Sequence, residues 1–489
     1  MIGLYTAGEV RAAEAAVLAT VRDGALMQRA ATGLATISLG LLGHAHGVRV
    51  VLLVGTGNNG GDALYAGAVL AGRGAQVRAV LLDAERAHPG GLAALRRAGG
   101  RVAGAADHGL DRADLVLDGI VGIGGTGGLR SAAAELAEAA AQGPGLLVAV
   151  DVPSGVDADT GAVDGAAFHA QHTVTFGAVK RGLVVGEGRG RAGRVHLVDI
   201  GLGPYLPTAD VVQLSDVDAA GHLNPPGAGD DKYSQGVVGI VAGSATYPGA
   251  GVLCTGAALR TRPGLVRYAG TAADGVSAAW PEAIVTTGRP RDAGRVQAWV
   301  VGPGMGTDDD ARSVLAEVLA TDLPVVVDAD ALTMVSEQPA LVGDREAPTV
   351  LTPHDREFAR IFGDVGRDRV AAARRGAAEL GCAVLLKGDA TVVADAGTTY
   401  VNGTGTPWLA TAGTGDVLAG IIGAILATGL GAAESAAVAA HVHGRTGQLA
   451  AASGPLIAGD LVRHLPVTVG RLRRGVDPSG PPPPGTVEG

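Results

Sequence analysis

Apolar runs alternate along this chain with glycine-rich loops and alanine-rich stretches. VRVVLLVG at 48–55 is rich in β-branched residues, which is typical of a parallel strand buried on both faces. Residues 7–46 and 131–142 have the composition of helices. Further strand-like runs follow at 76–82, 113–122, 146–153, 173–179 and 193–201. This alternation predicts a Rossmann-like, doubly wound α/β domain over residues 1–205.

A second alternation begins after a stretch of recurring proline and glycine. We interpret residues 206–230 as a linker and 231–468 as a second α/β domain. Its predicted strands lie at 236–244, 296–306, 323–332, 349–355 and 382–395. A long apolar helix is predicted at 416–428. The proline-rich end of the chain, 469–489, lacks apolar periodicity, and we expect it to be a disordered tail.

Length and composition narrow the possible classes of protein. A chain of 489 residues favours two or three domains, and its net charge of −10 without a Lys/Arg block disfavours nucleic-acid binding. Cys254 and Cys382 lie apart in apolar surroundings, as expected for core residues in a reducing compartment. The N-terminus has no signal-peptide pattern, and the apolar stretch 417–430 is too short to span a membrane. We therefore expect a cytoplasmic homo-oligomer without a membrane partner.

The loop GTGNNGGD at 55–62 directly follows a predicted buried strand and opens a helix. Its glycines allow close approach of a ligand, and a helix N-terminus favours a phosphate. The loop does not match the G-x-G-x-x-G pattern of ordinary dinucleotide sites. The two asparagines suit a cation or an amide-bearing ligand, although a tight structural turn remains an alternative.

Three further polar groups lie at the ends of predicted strands. Asp118 opens a segment with five glycines in seven residues, and Asp151 and Ser154 belong to DVPSG. Ligands bind at strand carboxyl ends in open α/β sheets. Asn59, Asp118 and Ser154 can therefore converge as oxygen ligands, with Asp151 free for acid–base chemistry. Each carboxylate taken alone is more typical of a loop cap.

In the second domain, AGTGD at 412–416 opens the apolar helix. Its amides form an anion hole, and Asp416 can accept the proton of a hydroxyl that attacks a phosphate. An N-cap aspartate is the alternative interpretation. The segment KGDAT at 387–391 offers a lysine and backbone groups to a nucleotide, although no Walker motif occurs.

The segments GTGNNGGD, DGIVGIGGTGG, DVPSG and TFGAVKRGL resemble the NAD(P)H-hydrate epimerase family. The resemblance implies that K⁺ is bound by Asn59, Asp118 and Ser154, and that Asp151 contacts the substrate and assists acid–base chemistry at C6 of the ring. Lys180 matches a recurrent lysine of the family, and a surface charge is the alternative interpretation. The substrate-binding residues implied in this domain are Asn58, Gly60, Gly61, Asp62, Gly122, Gly124, Gly125, Gly127, Gly128 and Asp151.

The second domain resembles nucleotide-dependent NAD(P)H-hydrate dehydratases, which have a ribokinase-like fold. The resemblance rests on GSATYPGAGVLCTGAALR, VVGPGMG, VDADAL, LTPHDREF, LLKGDATVV and GTPWLATAGTGDVLAGI. It implies that the hydrate contacts Ala250, Gly304, His354 and Asp416. It also implies that the adenine nucleotide contacts Lys387, Gly388, Asp389, Ala390, Thr391 and Gly415. Two departures from the family pattern, at 261–264 and 355–357, put the local loop shapes in doubt.

Together the two resemblances imply repair of hydrated NADH and NADPH. The first domain would interconvert the R and S hydrates, and the second would dehydrate the S form with ADP and Mg²⁺, releasing AMP and phosphate. Asp416 is the expected base in the second reaction. Two alternatives stay open: a ribokinase-like kinase that phosphorylates a vitamin-precursor alcohol, and a binding scaffold without catalytic activity.

Overall fold

The computed structural model describes residues 1–104, 107–125, 127–262, 264–476 and 487–488. The chain divides into two compact units, one built mainly from Gly3–Val211 and the other from Val212 onwards. Both units are α/β. The mixed α/β fold class predicted from the sequence is therefore confirmed for each half.

Among the described residues up to Val198, the first unit contains nine strands and six α-helices. They are, in order, β1 (Ile2–Tyr5), α1 (Ala7–Leu18), α2 (Ala25–Leu42), β2 (Arg49–Val54), α3 (Asn58–Gly72), β3 (Gln76–Leu81), α4 (Pro89–Arg97), β4 (Arg101–Ala103), β5 (Leu115–Gly119), α5 (Ser131–Gln142), β6 (Leu146–Val150), β7 (His172–Phe176), β8 (Val179–Lys180), α6 (Gly186–Ala192) and β9 (Arg194–Val198).

The main sheet of this unit has the strand order β4-β3-β2-β5-β6-β7-β9, and every neighbouring pair is parallel. The order reverses between β2 and β5, which is the topological switch point where ligands bind in such sheets. Strands β2, β5 and β6 are buried almost throughout, which explains why continuous apolar runs predicted them. Strand β1 was not predicted; it pairs with β8 in parallel.

Helix α2 is the one described helix with the length and apolar composition of a membrane span. Six of its residues are nevertheless buried, and five of them pack into the core of the first unit. The core helix of a globular protein passes the same test of length and composition.

Among the described residues, the second unit contains ten strands and eleven α-helices. They are β10 (Val211–Gln213), α7 (Asp216–Gly221), β11 (Val237–Val241), α8 (Pro248–Thr261), β12 (Leu265–Ala269), α9 (Ala273–Ala279), β13 (Ile284–Thr286), β14 (Ala298–Val301), α10 (Asp309–Leu319), β15 (Val325–Val327), α11 (Asp330–Glu337), α12 (Ala340–Gly343), β16 (Thr349–Leu351), α13 (Asp355–Phe362), α14 (Arg369–Leu380), β17 (Ala383–Leu386), β18 (Thr391–Ala394), β19 (Thr399–Asn402), α15 (Thr414–Leu426), α16 (Ala432–Ala451) and α17 (Ala458–Arg473).

Strands β13-β12-β11-β14-β15-β16-β17-β18-β19 follow one another across the sheet of this unit. The pairs from β13 to β17 are parallel, whereas β17, β18 and β19 are antiparallel. The predicted run 382–395 therefore contains two strands and a turn. The order reverses between β11 and β14, which places the loops after these two strands at a second switch point.

Two predicted boundaries require correction. The predicted linker, 206–230, contains β10 and α7, and Leu214 and Leu223 are part of the core of the second unit. The predicted tail, 469–489, begins inside α17, because Leu472 is buried in the same core. Residues 487–488 form a short strand against β9, and 477–486 and 489 lie outside the described residues. Both cysteines are buried and unpaired, as predicted.

Candidate functional site

The first unit has a cavity of about 480 Å³ beside its switch point. Asn58 and Asp62, at the start of α3, line it together with Glu14 from α1 and with Tyr65 and His88. The helix begins immediately after β2, so the sharp strand-to-helix turn directs its first residues into the cavity. Asn58 and Asp62, both predicted to contact substrate, are thus brought together.

Asp151 forms a buried ion pair with Lys180. The Lys180 Nζ atom lies 2.5 Å from Asp151 Oδ1, and the lysine is 1% exposed. The Thr175 hydroxyl, at 3.1 Å, and the Phe176 backbone N–H, at 3.2 Å, donate to the same oxygen. Asp151 also has a φ of 68°, a strained value for a residue other than glycine. Lys180 is therefore a buried partner of Asp151, and the interpretation of this lysine as a surface charge is wrong.

Asp62 lines the 480 Å³ cavity, whose wall does not include Asp151, and has no such partner among the described residues. It is 9% exposed, and its Oδ1 atom accepts no hydrogen bond from the described part of the chain. Burial, and then the neighbouring carboxylates of Asp151 and Glu14, raise the pKa of Asp62 well above its usual value. Burial and Asp151 also raise the pKa of Glu14. The cavity therefore favours protonated carboxyl groups around the Asp151–Lys180 pair.

Asp118 and Ser154 contact each other at the ends of β5 and β6. The Ser154 hydroxyl and backbone N–H donate to the Asp118 carboxylate at 2.7 and 2.8 Å, and the Ile120 N–H donates at 3.2 Å. Burial raises the pKa of the inaccessible Asp118 to about 6, although the hydrogen bonds from Ser154 and Ile120 lower it. In the described part of the chain, no lysine or arginine forms an ion pair with it.

Asn59 lies beside this pair. A Cβ atom added at Gly122 would come within 3.0 Å of Asn59 Oδ1, so the glycine is required for close packing of the asparagine side chain. The Asn59 Nδ2 atom is buried and has no hydrogen-bond acceptor among the described residues. The remaining predicted glycines do not line the 480 Å³ cavity, and their contact with substrate stays a prediction; they are Gly60, Gly61, Gly124, Gly125, Gly127 and Gly128.

The second unit has a cavity of about 670 Å³ between the start of α15, the turn after β17 and helix α16. Most of the residues predicted to contact nucleotide line it: Lys387, Gly388, Asp389, Thr391 and Gly415. His354 lines the same cavity. Ala390 is the exception, because its side chain is buried in the core and is absent from the lining.

Lys387 is held at this cavity by two acidic residues. Its Nζ atom lies 2.9 Å from Asp328 Oδ1 and 3.8 Å from Glu357 Oε2. The Thr352 hydroxyl donates to the same Asp328 oxygen at 2.6 Å. A Cβ atom added at Gly415 would lie 3.8 Å from Lys387 Nζ, so the ammonium group stands beside the first turn of α15. A positive charge is therefore fixed next to the predicted anion hole.

Asp416 occupies the first turn of α15, where backbone N–H groups lack intrahelical acceptors. Gly413, with a φ of 86°, caps the helix. Burial and then Asp328 raise the pKa of Asp416 to about 7, while Lys387 lowers it. A carboxyl group with this pKa can exchange a proton near neutral pH, as the predicted base requires.

Ala250 and Gly304 meet at the second switch point. Gly304 has a φ of 59°, and an added Cβ atom would lie 2.8 Å from the Ala250 Cβ. Both residues are predicted to contact the hydrate; Ala250 lies at the start of α8, the helix after β11, and Gly304 lies in the loop after β14. Neither residue lines the 670 Å³ cavity, and Asp416 does not line it either.

The two segments that depart from the family pattern, 261–264 and 355–357, form hydrogen bonds where they are described. His354 caps α13: its Nδ1 accepts from the Glu357 N–H, and Glu357 accepts from the His354 N–H. At the other segment, Arg262 donates to the His222 carbonyl and the Gln235 side chain. Pro263 lies outside the described residues.

Sequence reasoning did not identify three residues that border the sites. Asp328 follows β15 in the VDADAL segment, and its position at a strand end was an available signal. His443 lies in the wall of the 670 Å³ cavity, where its Nε2 is 3.0 Å from the Thr414 carbonyl oxygen. Glu14 reaches its cavity from α1, and no local sequence pattern distinguishes it from other helical glutamates.

Comparisons with known proteins find matches for both halves of the chain. A family model described as NAD(P)H-hydrate dehydratase matches residues 238–466, and one described as YjeF-related protein N-terminus matches residues 23–182. A crystal structure of a ribokinase-like superfamily protein from Enterococcus faecalis matches with a TM-score of 0.50 and 26% identity, over 55% of this chain and 98% of that one.

Relatives over nearly the whole length are also known. A bifunctional NAD(P)H-hydrate repair enzyme of Mycobacterium leprae is 50% identical over 479 residues, covering 96% of this chain and 99% of that protein. One from Mycobacterium tuberculosis is 52% identical over 439 residues, covering 88% and 91% respectively. On this similarity, across both units and the sites described above, the chain belongs to the family of bifunctional NAD(P)H-hydrate repair enzymes.

Proposed function

We propose that the first unit epimerises hydrated NADH and NADPH at C6, and that the second unit dehydrates the S epimer with ADP as phosphoryl donor. The products of the second reaction are NADH or NADPH, AMP and phosphate. The observation that carries this proposal is the arrangement of Asp416, with its raised pKa, beside Lys387 at the start of α15.

Dehydration requires a better leaving group than hydroxide at C6. Asp416 would accept the proton of the C6 hydroxyl as its oxygen attacks the terminal phosphate of ADP. The amides of Gly413 to Gly415 and the Lys387 ammonium would hold the transferring phosphoryl group. Loss of phosphate and of the C5 proton then restores the C5–C6 double bond. Mg²⁺ bound with the nucleotide would neutralise part of the phosphate charge.

For the first unit we propose that K⁺ is held by Asn59, Asp118 and Ser154. The donor set fits, because all three offer oxygen atoms and the fully buried Asp118 forms no ion pair with a lysine or arginine of the described residues. A bound K⁺ supplies the missing countercharge. The residues themselves would fix the end of β5 and the turn after β6 in which Asp151 lies.

One assay tests the proposed function. A mixture of both NADHX epimers is incubated with the protein and ADP, and the loss of each epimer, the recovery of NADH absorbance and the release of phosphate are followed. Consumption of both epimers supports two working halves. Formation of a stable phosphorylated alcohol would instead support a small-molecule kinase, and no turnover would favour a scaffold.

The potassium proposal has its own test. Epimerisation is measured without ADP after exchange of K⁺ for Li⁺, with the Asp118→Asn variant alongside. We expect the rate to fall in Li⁺ and the variant to lose its dependence on K⁺. An equal rate in both ions would contradict this site. The cytoplasmic location and homo-oligomeric state remain predictions.

A further inference from the structure

Asp62 is the buried ionisable group in the first cavity that the proposed chemistry leaves unused. Its carboxyl group lies in the cavity wall with one oxygen unpartnered, whereas most buried polar atoms in proteins have a hydrogen-bond partner. It is placed there by helix α3, four residues after Asn58. A buried carboxyl oxygen that has no partner among the described residues, in the wall of a cavity, points to a group that is satisfied by the ligand.

The two aspartates of the proposed site have different neighbours. Lys180 Nζ lies 2.5 Å from Asp151 Oδ1 and forms an ion pair with it. Asp62 has no ion pair with a described residue, and Asp151 and Glu14 both disfavour its ionisation. The site therefore combines an aspartate that has an ammonium partner with one whose pKa is raised. Pairs of carboxyl groups in unlike surroundings commonly divide the roles of base and acid.

We propose that Asp62 is the proton donor of the epimerisation and that Asp151 is the proton acceptor. This inference rests on the proposed function of the first unit. It goes beyond contact with substrate, because it assigns Asp62 a chemical step at C6 of the hydrated ring.

The step balances without an oxidant or a further reactant. Asp62 gives its proton to the C6 hydroxyl, the C6–O bond breaks with its electron pair on oxygen, and water departs. The N1 lone pair forms a C6–N1 double bond, which leaves a cationic ring. Water then adds to the opposite face of C6, the π electrons return to N1, and Asp151 takes the released proton. Transfer of that proton through water from Asp151 to Asp62 restores the enzyme.

The proposal predicts the direction of the pH dependence. Asp62 must be protonated, so epimerisation should slow as the pH rises through its pKa. The other titratable groups of the cavity and its wall belong to α1, the loop before α2, α3, the turn before α4 and strands β6 to β8; they are Glu14, Asp23, Tyr65, His88, Asp151 and Lys180. A variant at Asp62 is therefore needed to assign the falling limb.

The experiment uses the full-length protein without ADP, so that the dehydratase is silent. Epimerisation of purified NADHX is measured between about pH 5 and pH 9, because burial can raise the pKa of a carboxyl group into this range. Asp62→Asn should lower kcat by about 100-fold or more, with little change in KM and with loss of the falling limb. Asp62→Glu should retain the limb, and Asp111→Asn, an exposed carboxyl in the same unit, should behave as the wild type.

Three outcomes would overturn the proposal. The first is a wild-type rate and pH profile in Asp62→Asn. The second, which stands even when Asp62→Asn does not fold, is a folded Asp62→Glu enzyme without the falling limb. The third is retention of the original C6 oxygen when the wild type turns over in ¹⁸O-labelled water. A wild-type protein that does not epimerise at all would instead contradict the proposed function.

Discussion

Lys180 Nζ and Asp151 Oδ1 lie 2.5 Å apart in a pair that is almost inaccessible to solvent. The lysine also donates to the Thr175 hydroxyl and to the Phe176 carbonyl oxygen, so its three N–H groups all have acceptors. The strained backbone of Asp151 and this network together fix the Asp151 side chain directly after β6. Removal of either partner would leave an uncompensated buried charge.

Lys180→Met should therefore destabilise the first unit. Breaking a buried ion pair by removing one partner costs about 3–5 kcal/mol. Chemical denaturation followed by a probe in the first unit should report this loss, and epimerisation should fall with it. Lys180→Met combined with Asp151→Asn should recover part of the stability, because no buried charge then remains. Equal stability of the single and double variants would contradict the pairing.

Dehydration should depend on the ionisation of Asp416. Because its pKa is raised to about 7 and the base must be unprotonated, the rate at saturating hydrate and ADP should increase as the pH rises through neutrality and then level off. A pH–rate profile of phosphate release measures this limb. Asp416→Asn should abolish turnover while ADP still binds, as judged by calorimetry. A rate that stays constant from acid to neutral pH would argue against this base.

Asp328→Asn should move that limb to lower pH. Asp328 is the largest electrostatic contributor to the raised pKa of Asp416, and it also holds Lys387 at 2.9 Å. Its loss removes a negative neighbour and frees a positive one, and both changes favour the ionised form of Asp416. We expect a shift of about one pH unit. Asp344→Asn, an exposed aspartate in the same unit, is the matched control and should leave the limb in place.

Gly304→Ala should impair dehydration more than Gly306→Ala. Both glycines have positive φ. An added Cβ atom at Gly304 would lie 2.8 Å from the Ala250 Cβ, whereas an added Cβ atom at Gly306 would have no atom of the described residues within 4 Å. The difference between the two variants isolates the contact at the switch point from backbone strain. The KM for the hydrate and kcat would be compared in both. Identical losses would mean that backbone conformation alone is responsible.

The sequence was informative where burial is continuous and where strands end. The apolar runs of β5 and β6 predicted two central strands, and the shared edge of their carboxyl ends predicted the convergence of Asp118 and Ser154, whose side-chain oxygens lie 2.7 Å apart. Strand β1 was missed because it has only four residues. Lys180 was misjudged because its burial depends on a partner 29 residues away, which no local pattern reveals.

Helix α7 determines where the two activities can be separated genetically. Asp216 at its start accepts hydrogen bonds from Arg445 and lies 2.7 Å from His441 Nε2, so it supplies countercharge to helix α16. A dehydratase fragment that begins at residue 231 would contain α16 without Asp216. Its core would also lack Leu214 and Leu223. A cut before β10 keeps all three residues in the same polypeptide as their partners.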